Sequence, residues 1–199
     1  MANTNAPFGF KQYQGTGSAP TYEQVAMTIA SNYATAIYFG DPVQPVVGTA
    51  TGYIRVYNTA GTAACAGIFA GCKYLSVSQK RTVWSNYWPG SDANGDVTAY
   101  VINDPNAKFL VQAGGTNVGF SKIGQNIQVN LGTGNANSGI SGAYVESPAT
   151  TATLPFRVVD VVTQPPGANG TDATAAYNLV IVQFNNSLTR ANGAQTGIS

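Results

Sequence analysis

From about residue 33 onward, short apolar runs, many alternating with polar residues, are cut repeatedly by Gly, Pro, Asn or Asp. Residues 33–39 end at Gly40, Asp41 and Pro42; residues 43–47 end near Gly48; residues 52–57 set Tyr53, Arg55 and Tyr57 against Ile54 and Val56. Similar runs follow at 64–69, 73–78 and 81–87, the last closed by Trp88, Pro89 and Gly90. Runs this brief and this often punctuated predict strands rather than helices. The expected fold is all-β, an antiparallel β-barrel or jelly-roll-like sandwich with an extended N-terminal arm. Residues 96–103 and 107–113 form the strongest candidate hairpin, reversing at Asp104, Pro105 and Asn106; a looser connection between two sheets fits the same residues. Residues 125–131 predict one half-buried strand, since Ile127, Val129 and Leu131 alternate with polar residues. The last strong runs, 153–162 and 176–185, flank a turn-rich excursion over 163–171.

The ends and the middle differ in texture. Residues 1–30 carry Pro7, Gly9, Gly15, Gly17 and Pro20 among Phe8, Phe10 and Tyr13, which predicts an extended arm whose aromatics dock on this chain or on a neighbour. Val25 and Ile29 fall on one helical face, so a short helix over 22–31 is also expected. A single β domain is expected over 31–185, with a Gly/Asn-rich insertion around 114–142 that includes an exposed loop at 132–139. Residues 186–199 read as a polar tail.

Composition sharpens this reading. Apolar residues make up 44% of the 199, yet Asp, Glu, Lys and Arg reach only 9% and the net charge is +1. A surface with so little charge offers little repulsion between copies, which favours assembly. The nine basic residues are scattered, only Lys80 and Arg81 being adjacent, so no basic stripe for nucleic acid is present. The opening residues lack the pattern of a secretory signal, and no apolar run is long enough to span a bilayer, so synthesis in a cytoplasm is expected.

Candidate chemistry is sparse. The chain contains no histidine, which removes the common base of Ser-His and Cys-His mechanisms. Carboxylate-pair chemistry would have to draw on Glu23, Glu146 and six aspartates. Asp41, Asp96 and Asp104 stand beside Gly or Pro as turn formers, while Asp160 lies within a strand phrase on its polar face. Residues 91–96 resemble the start of a calcium loop, but the downstream bidentate Glu is missing. Cys65 and Cys72 read as small buried hydrophobes, with a disulfide left open. Trp84, Tyr87, Trp88 and Tyr100 are core or contact residues, with sugar stacking as the competing reading. No enzyme, cofactor or metal is expected.

Five phrases together resemble small virion proteins of tailed bacteriophages, the capsid decoration or cement proteins: ANTNAPFGF at 2–10, GDPV at 40–43, FAGCKY at 69–74, SNYWPG at 85–90 and NDPNAKF at 103–109. The opening phrase is the most characteristic, and the resemblance extends over most of residues 1–190. It implies a β body on the outer surface of the phage head, arranged as homodimers or homotrimers, bound to the major capsid protein and bridging capsomers. It also implies a contact role for the arm through Pro7, Phe8 and Phe10. Tyr13, Trp84, Tyr87 and Trp88 complete the expected capsid or subunit contacts. A minor capsid or tail-associated protein is the alternative, followed by a carbohydrate-binding receptor module.

Overall fold

The computed structural model describes residues 2–15, 17–46, 48, 52–58, 64–167 and 169–189. Val47 and, in the expected tail, residues 190–199 with Arg190 lie outside the described residues. The strands are β1 (Lys11–Gln14), β2 (Val25–Ile29), β3 (Pro42–Pro45), β4 (Ile54–Val56), β5 (Gly67–Leu75) and β6 (Thr82–Ser85), then β7 (Val97–Ile102), β8 (Lys108–Gln112), β9 (Asn126–Asn130), β10 (Tyr144–Ala149), β11 (Phe156–Val161) and β12 (Leu179–Phe184). They form two antiparallel sheets packed together. Sheet I runs β1-β8-β12-β11-β9-β10, and sheet II runs β2-β7-β5-β3-β4 with β6 paired to β5. The expected all-β sandwich is present; it is not a closed barrel.

Alternation dictates which residues go inward. In sheet I, Phe109, Val111, Ile127, Val129, Phe156, Val158, Val180, Val182 and Phe184 line the inner face, joined from sheet II by Ile68 and Ile102. Sheet II then fills a second core with its opposite face, using Phe69, Cys72, Tyr74, Val97, Ala99, Val101, Val43, Ile29 and Trp88. Adjacent residues of β5 therefore serve different cores, Ile68 the first and Phe69 the second. Trp88 is fully buried, its indole N–H donating to the Tyr33 carbonyl (3.1 Å) and its ring meeting Tyr74 edge-on at 5.1 Å. Gly67, at φ +148°, permits the close crossing of β5 and β7, because a Cβ there would collide with Val101 and the Ile102 carbonyl.

Two expectations change, and a third is met. Residues 96–103 and 107–113 are not a hairpin: β7 belongs to sheet II and β8 to sheet I, so Asp104–Asn106 turns the chain from one sheet to the other. No helix forms over 22–31. Each residue of β2 pairs with β7, and the β-branched Val25, Thr28 and Ile29 suit that pleated setting better than a helix. Within the Gly/Asn-rich stretch, the strand expected over 125–131 is present as β9, paired on both sides by β11 and β10.

The N-terminal segment docks on its own body. Its Asn3 amide donates to the Asp172 and Ala176 carbonyls (both 3.0 Å) and accepts from Gly170 N–H (3.1 Å), while Ala6 N–H donates to Gln112 Oε1 (2.9 Å). Phe10, 2% exposed, stacks on Phe156 at 4.5 Å and meets Phe109 edge-on. Residue 10 is thus a core position, because β1 adds to the edge of β8 and turns Phe10 between the sheets. Replacing Phe10 by Ala is expected to cost about 3–5 kcal/mol of unfolding free energy in urea titrations, and deleting residues 2–12 to abolish a cooperative transition.

Candidate functional site

Sheet I covers only part of the face that sheet II turns toward it. Ile68 and Ile102 lie at the covered end. Along the same face, two-residue steps lead from Ile102 to Tyr100 and Thr98. Thr98 stands opposite Lys73, Lys73 opposite Trp84, and Leu75 opposite Thr82. These residues emerge from under sheet I and form a shelf. Trp84 is 66% exposed, Leu75 is 44% exposed, and Tyr100 is half-buried. Lys73 Nζ sits 4.9 Å from the centre of the Trp84 ring, a cation–π contact worth about 0.5–1 kcal/mol at an exposed site. The shelf runs on into a depression of about 410 Å³ lined by Leu75, Ser76, Val77, Lys80 and Asn94. Lys73, Lys80 and Arg81 bring positive charge to this region, set against the single carboxylate of Asp92, which is held by Ser76 and Ser78.

The remaining expected contact residues scatter. Pro7 and Phe8 are half-buried beside the docked N-terminal segment, and Tyr13 is 46% exposed on β1. Tyr87 is half-buried and stacks on Tyr38 at 5.6 Å with the rings nearly parallel. Phe10 and Trp88 have no surface to offer a partner; both are consumed by the two cores described above. The aromatic group formed by Trp84, Tyr87, Trp88 and Tyr100 in the sequence therefore divides, and only Trp84 and Tyr100 share a face.

The carboxylates are engaged one by one. Asp92 accepts from the Ser76 and Ser78 hydroxyls (2.7 and 3.1 Å), whereas Asp96 accepts from the Tyr53 hydroxyl (2.8 Å) and Ser31 N–H, so residues 91–96 point their oxygens at different partners. Asp104 caps its turn through Asn106 N–H (2.8 Å), and Asp160 is exposed at a bulge in β11. Among the described residues no three His, Cys, Asp or Glu side chains stand together to hold a metal.

Asp41 departs from its turn-former reading. It is 5% exposed, with Oδ1 accepting from the Ser141 hydroxyl (2.5 Å) and Oδ2 from Tyr38 N–H (2.7 Å). Ser141 Oγ in turn accepts from Ala143 N–H (2.8 Å), and Gly9 packs against the Ser141 side chain. The N-terminal segment, the approach to β3 and the approach to β10 are tied together here. Burial raises the Asp41 pKa above its ordinary 3.8, against the lowering effect of both hydrogen bonds. Nothing local to residue 41 reveals this, because the burying partner lies one hundred residues away.

Cys65 and Cys72 are free and buried in different cores, the first between the sheets and the second beneath sheet II. Burial pushes both thiols up to about 12, which keeps them protonated and unreactive at neutral pH. The reading of two small hydrophobes stands, without a disulfide.

No protein-family model matches the chain, and no curated protein or solved structure matches it either.

Ellman's reagent is expected to titrate no thiol in the native protein and two after unfolding in guanidinium; a fast native reaction would contradict the burial. A second expectation concerns pH. In the fold Asp41 holds its proton more tightly than in the unfolded chain, so lowering the pH from neutral toward 3.8 adds stability through this group, and the gain levels off below it. Asp92 and Asp172, whose pKa values are lowered mainly by hydroxyl hydrogen bonds from Ser76 and Thr174, pull the other way in acid. The comparison with Asp41→Asn isolates this carboxyl: melting temperatures measured from pH 7 to pH 4 should rise in the parent relative to the variant.

Proposed function

We propose that the chain is a structural virion protein that binds the outer surface of a tailed-phage capsid and stabilises the head by bridging capsomers. The observation that carries this reading is the uncovered shelf of sheet II. An indole two-thirds exposed, beside Leu75 and half-buried Tyr100, is the kind of anchor around which protein interfaces concentrate their energy. The composition supports it too, since a chain with 9% charged residues meets little electrostatic opposition on a crowded lattice. Repetition on a closed shell then lets a modest contact act collectively through many copies.

The shelf also suits one kind of partner. Its apolar centre and the positive charge of Lys73, Lys80 and Arg81 fit a capsid surface with an apolar patch flanked by carboxylates. Contact through the N-terminal segment is reduced to what Pro7, Phe8 and Tyr13 leave exposed, because Phe10 belongs to the core.

Trp84→Ala is expected to lower the unfolding free energy by no more than about 1 kcal/mol, the loss of the Lys73 cation–π contact at an exposed position. The same change should weaken attachment to purified heads roughly thirtyfold, about 2 kcal/mol for an anchor residue. Co-sedimentation with heads measures the second quantity, and unaltered attachment would remove the shelf from the interface. Cryo-EM and mass spectrometry of the virion test the wider reading. Hundreds of copies on the shell are expected; absence from the particle, or a ring of about a dozen copies, would overturn it.

A further inference from the structure

A second feature lies away from the shelf. Where β8 ends, Gly114 and Gly115 form the floor of a cleft of about 390 Å³, with Tyr144 and Tyr177 as walls and Asn5 and Thr133 at its margin. We propose that this cleft is a saccharide-binding subsite that takes a single neutral pyranose ring.

The walls are held before any ligand arrives. Tyr144 stands on β10, and its ring rests so closely on the backbone of residue 114 that a Cβ there would lie 2.9 Å from it. Only glycine allows that approach. Tyr177 occupies the left-handed region at φ +60°, a costly conformation for a non-glycine residue that recurs where a ligand is clamped. Both of its backbone groups are tied to the end of β8: its N–H donates to the Gly114 carbonyl (3.0 Å) and its carbonyl accepts from Gln112 Nε2 (3.0 Å). Asn5 is positioned by its neighbours, since Asn3 and Ala6 are both hydrogen-bonded to the body. The site is therefore preorganised.

Chemistry selects the ligand class. Among the described residues, the side-chain amide of Asn5 and the hydroxyls of Thr133, Tyr144 and Tyr177 make no hydrogen bond, so the cleft is lined by four residues with free neutral groups that donate and accept, two of them aromatic. No cationic side chain among the described residues lines the cleft, which disfavours a phosphate or carboxylate ligand. A purely apolar ligand would cover Asn5 and Thr133 without satisfying them, at a desolvation cost. A polyhydroxylated ring meets both demands, with its C–H face on tyrosine and its hydroxyls toward the amide and hydroxyls. The volume sits at the small end of the range for ligand sites and matches one sugar ring rather than an extended chain.

Saturation-transfer NMR and titration calorimetry on the full chain, with methyl glycosides of glucose, galactose, mannose, rhamnose and N-acetylglucosamine, test the proposal. At least one is expected to bind saturably in the millimolar range. Gly115→Leu fills the cleft from a position where, among the described residues and chain neighbours aside, a new Cβ meets within 4 Å only the Tyr177 hydroxyl at 3.9 Å, and should abolish binding while leaving the melting temperature nearly unchanged. Tyr144→Ala should weaken binding roughly tenfold. Should that variant fold poorly, Tyr177→Phe replaces it, removing one hydroxyl without altering the backbone. No saturable binding by any glycoside at tens of millimolar overturns the proposal, as does binding that Gly115→Leu leaves intact. Because the readout is sugar binding by the isolated protein, its failure is separate from any failure of shell attachment.

Discussion

The first part of strand β5, Gly67 to Cys72, is enclosed on both faces, and the rest of the molecule depends on that constraint. Its Ile68 packs into the core shared with sheet I, while Phe69, Cys72 and Tyr74 pack into the core beneath sheet II. A strand enclosed on both sides must be apolar nearly throughout, and the sequence GIFAGCKYL is so until Lys73. The pairing with β7 shifts register between Phe69 and Gly71, which re-aims the strand where sheet I stops covering it. Before that bulge the face turned toward sheet I is core; beyond it, the same face becomes the shelf with Trp84.

The two candidate surfaces then differ in how they are built. The shelf is made of regular strand positions, with residues exposed because a neighbouring sheet ends. The cleft at Gly114 is made of connections, with Tyr177 clamped to β8 and residues 3–6 strapped alongside. Its walls come from the start of β10 and the turn before β12 and its margin from the N-terminal segment, so it exists only once all three have docked. The Asp41–Ser141 hydrogen bond joins the approach to β3 to the approach to β10, where Gly9 of the N-terminal segment also packs, which links the buried carboxylate to the placement of Tyr144.

Much of the local structure was legible because pleated strands write their burial into a period of two. Residues 97–102 and 125–131 could be assigned by that period alone. Pairing was less legible. The turn at Asp104 looks the same whether it returns a strand to its own sheet or hands it to another, since turn chemistry specifies the reversal and not the partner. Residues 22–31 carried a helical spacing that the pairing of β2 with β7 overrode. Of the named contact residues, Trp84 emerged exposed and Trp88 enclosed, although they lie four residues apart in one aromatic phrase.

By itself, then, the sequence determined an all-β chain, the low charge of its surface, the positions of most strands and the burial of both cysteines, because periodicity, composition and side-chain size act locally. Tertiary structure decided which face of β5 meets which core, that the N-terminal aromatic Phe10 serves this chain's own interior, that Asp41 is sealed by Ser141, and that Tyr144 and Tyr177 face one cleft. Each of these depends on residues far apart in the chain being brought into contact, and no local pattern of hydrophobic and polar positions carries that information.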